Sequence, residues 1–198
     1  MFNFDFNKTF WINEPKQYEL KDNVITITTE PNTDFWQRTY YGFRNDNAPS
    51  LLFKTAEKYF SFTIKTDFNS KKQFDQCGVI IYQNSDNWFK ASIEYENQEY
   101  QRLGSVVTNN GFSDWATTDI DGNIKCMYYR LSRRESDFCV ENSLDGKNFK
   151  QMRIFHLFEG NKEVNLGVYA CSPSKSSFNA VFSEINISQC LWTDHKNA

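Results

Sequence analysis

The sequence predicts an all-β fold, a two-sheet antiparallel sandwich, and three observations carry the prediction. Strand-like segments return at roughly ten-residue intervals, separated by Asn, Asp, Gly and Ser turn chemistry. No stretch of twelve or more residues shows a helical apolar stripe, so there are no crossover helices to join parallel strands. The chain is also rich in aromatic residues, with 19 Phe, 10 Tyr and 5 Trp against 8 Gly and 4 Pro, a composition that packs and does not stay disordered.

Taken in order, the strands are VITITTE (24–30), YFSFTIKT (59–66), QCGVIIYQ (76–83), NWFKASIEYE (87–96), RLGSVVTN (102–109), MYYRLSRR (127–134) and DFCVENSL (137–144). NFKQMRI, NLGVYAC and SFNAVFSEINI complete the series. The connections Asn69-Ser70, Ser85-Asp86-Asn87, Asn110-Gly111, Asp121-Gly122-Asn123 and Asp145-Gly146 suit hairpins. With no internal repeat, linker or shift of composition, residues 1–198 are expected to form one domain.

Charge and cysteine usage narrow the partners. A net charge of -3, from 22 basic and 25 acidic residues without a long block of one sign, offers no footprint for a phosphate backbone, so nucleic acid is not an expected partner. The beginning MFNFDFNKTFW has neither a basic n-region nor an unbroken apolar run, and eighteen apolar residues never stand together. No membrane partner and no cleaved export signal are expected. Cys77, Cys126, Cys139, Cys171 and Cys190 are odd in number and lack a CxxC pair, which fits reduced thiols and a cytoplasmic location.

Absent motifs remove whole classes of chemistry. There are two histidines, His156 and His195, and no GxSxG, HExxH, P-loop or GxGxxG. No cofactor and no metal is expected. Asp119-Ile120-Asp121-Gly122-Asn123 begins like a calcium loop but lacks the later ligands and the closing Glu, and so reads as a turn.

The segment NWFKASIEYENQE (87–99) carries the functional question. Alternation puts Phe89, Ala91, Ile93 and Tyr95 on one face and Trp88, Lys90, Ser92, Glu94 and Glu96 on the other. The E-x-E-x-x-E spacing of Glu94, Glu96 and Glu99 approaches the strand motif of retaining glucanases, in which two carboxyls flank the scissile bond. Against it, the middle residue is Glu where that motif has Asp, and Glu99 has the wrong parity. Binding is therefore the better reading, with Glu94 as the one weak catalytic candidate. A tryptophan beside Lys and Glu suits a sugar, whose C–H face stacks on the ring while its hydroxyls meet the charged groups.

TDFWQRTYYGFRND (33–46), FDQCGVII (74–81), DNWFKASIEYE (86–96), SVVTNNGFSDW (105–115), YRLSRRESDFCVENSLDGKNF (129–149) and GVYACSP (167–173) together carry a resemblance. In this order they resemble a domain-of-unknown-function family of concanavalin-A-like sandwich proteins labelled after a fungal regulator of enolase. The likeness runs from about Phe10 to Ile187. It implies a jelly roll with one concave sheet, similar in shape to the accessory domains of some bacterial β-xylosidases. The recurring positions of the family fall on Asp34, Trp36, Tyr41, Asp46, Asp75, Gln76, Trp88, Lys90, Glu94, Ser113, Asp114, Trp115 and Arg130. Glu96 and Glu99 stand outside the pattern and are expected at the surface. After Asp46, Asn47-Ala48-Pro49 replaces a Gly-His found in relatives.

Parity joins several of these positions. Gln76 opposes the apolar Cys77, Val79 and Ile81, and Arg130 opposes Tyr129 and Leu131, so Gln76, Lys90, Glu94 and Arg130 are expected in one charged network on the concave sheet. Trp36 and Trp115 are expected at its rim. Trp36, Asp46, Asp75, Gln76, Trp88, Lys90, Glu94, Asp114, Trp115 and Arg130 make up the candidate ligand site. The reading that follows is a non-catalytic cytoplasmic module binding a saccharide or related small ligand. A regulator of carbohydrate metabolism acting through a cytoplasmic protein partner is the alternative that the family label implies, and a glycoside hydrolase is the third.

Overall fold

The period-two pattern of residues 87–95 sets the geometry of the whole molecule, because Phe89, Ala91 and Ile93 turn to a shared core while Lys90, Ser92 and Glu94 turn away from it. The computed structural model describes residues 4–193. After a short 3-10 turn, Phe6–Lys8, come β1 (Thr9–Ile12), β2 (Tyr18–Lys21), β3 (Val24–Thr28), β4 (Phe35–Gln37), β5 (Arg44–Asp46), β6 (Ser50–Thr55), β7 (Tyr59–Phe68) and β8 (Gln76–Asn84). Then follow β9 (Asn87–Tyr95), β10 (Tyr100–Asn109), β11 (Phe112–Asp121), β12 (Cys126–Arg134), β13 (Asp137–Ser143), β14 (Lys150–His156), β15 (Val164–Cys171) and β16 (Asn179–Ser188).

Two seven-stranded antiparallel sheets result, the first in the order β1-β6-β15-β8-β9-β10-β11 and the second β14-β13-β12-β7-β16-β3-β2. Each predicted strand is present. Six further strands had no alternation to reveal them, for reasons that differ. In β6, Leu51, Leu52 and Phe53 are all buried, so both faces are apolar. The edge strand β11 is polar along most of its length, and the edge strands β1 and β2 and the hairpin strands β4 and β5 are only three or four residues long.

Between the sheets lies the main core, where Phe89 of the first sheet stacks on Phe155 of the second at 3.9 Å between centroids. A second apolar cluster lies on the opposite side of the first sheet. The β4–β5 hairpin places Phe35 and Trp36 against Leu52, Ile80, Trp88, Val106 and Tyr169, which all point away from the main core. The outer face of the first sheet is thus roofed along part of its length.

The Asn110-Gly111 connection of β10 and β11 is the hairpin turn that was expected, with both residues at positive φ (51° and 75°). A side chain at Gly111 is disfavoured by this φ, and its Cβ would also fall 2.0 Å from Arg38 Nη1, so the arginine end would have to move. Asp121 closes the expected turn by accepting a hydrogen bond from the Asn123 amide at 2.8 Å. All five cysteines are free, and Cys77, Cys139 and Cys171 are buried. Among the described residues no helix is long and apolar enough to cross a membrane.

One anchor had no signature in the sequence. Arg133 on β12 is fully buried and donates to four backbone carbonyls, those of Glu135 (2.7 Å), Glu57 (2.9 Å), Gly160 (2.8 Å) and Lys162 (2.7 Å). It ties three loops at one end of the sandwich. Arg133→Met keeps the apolar stem but leaves those carbonyls without a charged donor, and should cost about 3 kcal/mol or more of stability. A guanidinium-chloride midpoint equal to that of the parent would disprove this role.

Candidate functional site

The site is built on the outward positions of three neighbouring strands. Antiparallel register sets Gln76 of β8 opposite Glu94 of β9, and Glu94 in turn opposite Arg102 of β10. Lys90 stands one outward position past Ser92 along β9, facing Ile80 and Val106.

A hydrogen-bonded floor follows from this register. Lys90, only 5% exposed, donates to Gln76 Oε1 at 2.9 Å and to Asp34 Oδ1 at 3.3 Å. Gln76 Oε1 also accepts from the Tyr169 hydroxyl at 3.0 Å, and Gln76 Nε2 donates to Glu94 Oε2 at 3.1 Å and to the Phe74 carbonyl at 3.2 Å. With donors on one side and acceptors on the other, the amide has a single satisfied orientation. Asp34 is fixed independently, because the same Oδ1 accepts from the Phe35 amide at 2.7 Å.

Aromatic rings stand over this floor. Trp36 meets Trp115 at 6.5 Å and 84°, and meets Tyr41 at 5.4 Å and 69°, so the three rings form steeply angled walls. Trp36 is held by its indole N–H, which donates to the Thr39 carbonyl at 3.1 Å. Trp115 packs over Gly104 of β10, where a Cβ would come 3.0 Å from the indole nitrogen; the missing side chain makes room for the ring. Together with Phe43, Phe74, Val106, Pro173 and Ser174, these groups enclose a cavity of about 350 Å³.

Of the expected site residues, Trp36, Gln76, Lys90, Glu94 and Trp115 converge here, joined by Asp34 and Tyr41 from the resemblance. The other expectations need correction. Trp88 does point to the outer face, but it is fully buried beneath the β4–β5 hairpin, 5.6 Å from the Phe35 ring, and its N–H is taken by the Ser85 carbonyl. It flanks the floor, with Lys90 Nζ 6.0 Å from its ring centroid. Asp46 accepts from the Tyr82 hydroxyl at 3.2 Å and from Ser85 Oγ, so it fastens the hairpin and does not line the cavity. Asp75 is buried and accepts from the amides of Lys71 (2.8 Å) and Lys72 (2.9 Å) and from Ser176 Oγ (3.0 Å), which shapes the loop before β8.

Asp114 has the opposite parity to Trp115 and forms an exposed ion pair with Arg153 across the edge of the sandwich, at 2.6 Å. Arg130 belongs to the second sheet, where it makes a bidentate pair with Glu141 at 2.6 and 2.7 Å and lies over Phe149. The expected network of Gln76, Lys90 and Glu94 therefore exists without Arg130. The cation beside it is Arg102, which stands over the Trp115 ring at 5.4 Å and pairs with Glu96 at 3.1 Å. Glu96 is accordingly not a free surface residue, for its side chain is 5% exposed, yet it does not line the cavity. The two strand carboxylates of the glucanase-like motif thus have separate surroundings.

Burial dominates the chemistry of Glu94 and lifts its carboxyl to about 7, against the opposing pull of Lys90 and with the support of Asp34 and Glu96. Between the ordinary value of 4.5 and about 7 the folded chain keeps a proton that the unfolded chain has released. The stability this confers is complete below the unfolded value and is lost as pH rises through the folded one. Glu94→Gln should therefore flatten a decline that in the parent reaches up to about 3 kcal/mol between pH 5 and pH 8. Urea unfolding of both proteins at the two pH values measures it, and an undiminished decline in the variant would refute the assignment.

The family model described as "Protein of unknown function (DUF1349)" matches residues 11–190. "Regulation of enolase protein 1" of Saccharomyces cerevisiae is 28% identical over 189 residues, covering 96% of this chain and 93% of that protein. The crystal structure of a functionally unknown S. cerevisiae protein superposes with a TM-score of 0.87 at 27% identity, over 96% of this chain and 100% of that one. At fold level alone, the GH43 BlXynB protein of Bacillus licheniformis gives 0.69 at 14% identity, over 89% of this chain but 35% of that one. A legume lectin-like domain from Entamoeba histolytica gives 0.62 at 10% identity, over 92% and 90%. These likenesses place the fold among concanavalin-A-like sandwiches, and the match across residues 11–190 makes this chain a member of the DUF1349 family.

Proposed function

We propose that the chain is a non-catalytic cytoplasmic module that binds a saccharide or related small ligand in the cavity on the outer face of its first sheet. The observation that carries this reading is the combination in one space of about 350 Å³ of steeply angled Trp36, Tyr41 and Trp115 rings with a floor of Asp34, Gln76, Lys90 and Glu94. Rings offer the flat apolar surface that a pyranose C–H face needs, and charged groups at the edge offer the stronger hydrogen bonds that hydroxyls need. Most of the floor's hydrogen bonding is already fixed within the protein, so a ligand meets a preorganised surface and little ordering cost is left.

Thermal unfolding against a panel of mono- and oligosaccharides tests the reading. At least one sugar should raise the melting temperature saturably, by the equivalent of about 2.7 kcal/mol at a hundred times its Kd. Trp115→Ala should lose that response. A flat panel, or a variant that responds like the parent, would sink the reading.

A second reading has its own observation. Beside the cavity mouth the hairpin tip exposes Tyr40 (93%), Tyr41 (55%) and Phe43 (47%), more aromatic surface than solvation explains, and the yeast relative is named for regulation of enolase. On this reading the tip docks a protein of carbohydrate metabolism. Immobilised chain should then retain purified enolase and Tyr40→Ser should release it; no retention by the parent would end the idea.

A further inference from the structure

The charge balance of the cavity says which ligands it favours. Three charged side chains line it, Asp34, Lys90 and Glu94. Lys90 is already answered by Asp34 at 3.3 Å, while Glu94 forms no ion pair among the described residues and has only the neutral Gln76 amide as a partner. Arg102, just beyond, is taken by Glu96 at 3.1 Å. With Glu94 ionised, the lining carries one uncompensated negative charge beneath aromatic walls.

A carboxylate that shares a cavity with steeply angled aromatic rings, one of which already holds Arg102 at 5.4 Å, is an arrangement that receives a cation. The ring quadrupole attracts positive charge to its face, and a partly dry cavity magnifies both that attraction and the Coulomb term. An anionic ligand would meet the ring faces and Glu94 with the wrong sign. A neutral ligand can donate a hydroxyl to Glu94 but leaves its charge uncompensated.

We propose that this cavity selects a ligand with a compact positively charged nitrogen, seated between Trp36, Tyr41 and Trp115 over Glu94. Within the saccharide reading this means an amino sugar. The inference rests on the cavity being a ligand site but does not require the ligand to be a sugar.

Proton linkage gives the selectivity a pH signature. The charged or titratable groups near Glu94 are Lys90 on its own strand, Glu96 just past that strand's end, Asp34 just before β4, Arg102 on β10, and Tyr169 and Cys171 on β15. Burial raises Tyr169 and Cys171 well above their ordinary values, so both stay neutral near pH 7, while Lys90 is paired with Asp34 and Arg102 with Glu96. Glu94 is then the group that changes charge as a cation enters. Cation binding should strengthen as pH rises through about 7, whereas binding of a neutral ligand should not.

Choline and its uncharged isostere 3,3-dimethyl-1-butanol separate charge from shape, and glucose serves as a third arm. Tryptophan fluorescence titrations of the full chain at pH 6 and pH 8 should show choline binding at least about tenfold more tightly than the isostere at pH 8. That preference should shrink at pH 6 and in Glu94→Gln, whose folding the unfolding curves report separately. Equal affinities for choline and the isostere, or no saturable binding of choline, would overturn the inference. Saturable glucose binding alongside either result would keep the saccharide reading alive while the cation preference falls. Choline binding without any sugar binding would uphold the inference and remove the saccharide reading.

Discussion

A lysine ammonium that is 5% exposed must find compensation inside the protein, and the arrangement around Lys90 is organised by that need. Asp34 supplies the charge and Gln76 the acceptor, while the rings of Tyr169 (5.7 Å) and Trp88 (6.0 Å) lie within cation–π range. Asp34 immediately precedes β4, so the same contact pins the start of the β4–β5 hairpin to the sheet. Once the hairpin is down, Phe35 covers Trp88 and Trp36 is held beside Trp115. Breaking one partner of a buried pair costs on the order of 3–5 kcal/mol, more than most single apolar contacts in the hairpin return. The polar contact thus selects the position in which the apolar ones form.

The cavity is a consequence of incomplete coverage. The hairpin spans the part of the sheet around Trp88, Ile80 and Leu52, where its apolar side chains find apolar partners. Toward Glu94 and Gly104 the sheet offers carboxyl, amide and bare backbone, against which Phe35 and Trp36 would gain little. The roof therefore ends there, and Trp115, lying across Gly104, closes the far side. An apolar wall over a polar floor arises wherever a hydrophobic cover stops at the edge of the surface it can bury.

The fold was largely legible from the sequence because it depends on local alternation, which residues 76–83, 87–96 and 127–134 display openly. The site was legible in half. Parity correctly assigned Trp88, Lys90 and Glu94 to one face, but a face is not the same as an exposure. What lies over Trp88 is a hairpin of three-residue strands 35–37 and 44–46, too short to announce itself. Arg130 was misplaced for a different reason. Its direction within its strand was right, but the sheet that a strand joins is decided by long-range pairing, and β12 pairs with β7 and β13, not with β8 or β9. Arg102 has the parity and the strand to have been named, and the missing signal was its register opposite Glu94, which only the β9–β10 pairing reveals.

The two carboxyl groups of the cavity differ in what the fold has already done with them. Asp34 accepts from an ammonium and a backbone amide, so its charge belongs to the architecture. Displacing it would loosen the hairpin. Glu94 accepts, among the described residues, from one amide side chain, and burial holds its proton up to about 7. Ionising it near neutrality costs the fold free energy that Lys90 and Arg102, already paired with Asp34 and Glu96, offset only in part. A carboxyl that destabilises its own protein when charged is poorly explained as a structural element. Under the proposed cation reading its partner arrives from outside, and a ligand that satisfies it recovers that cost as binding energy.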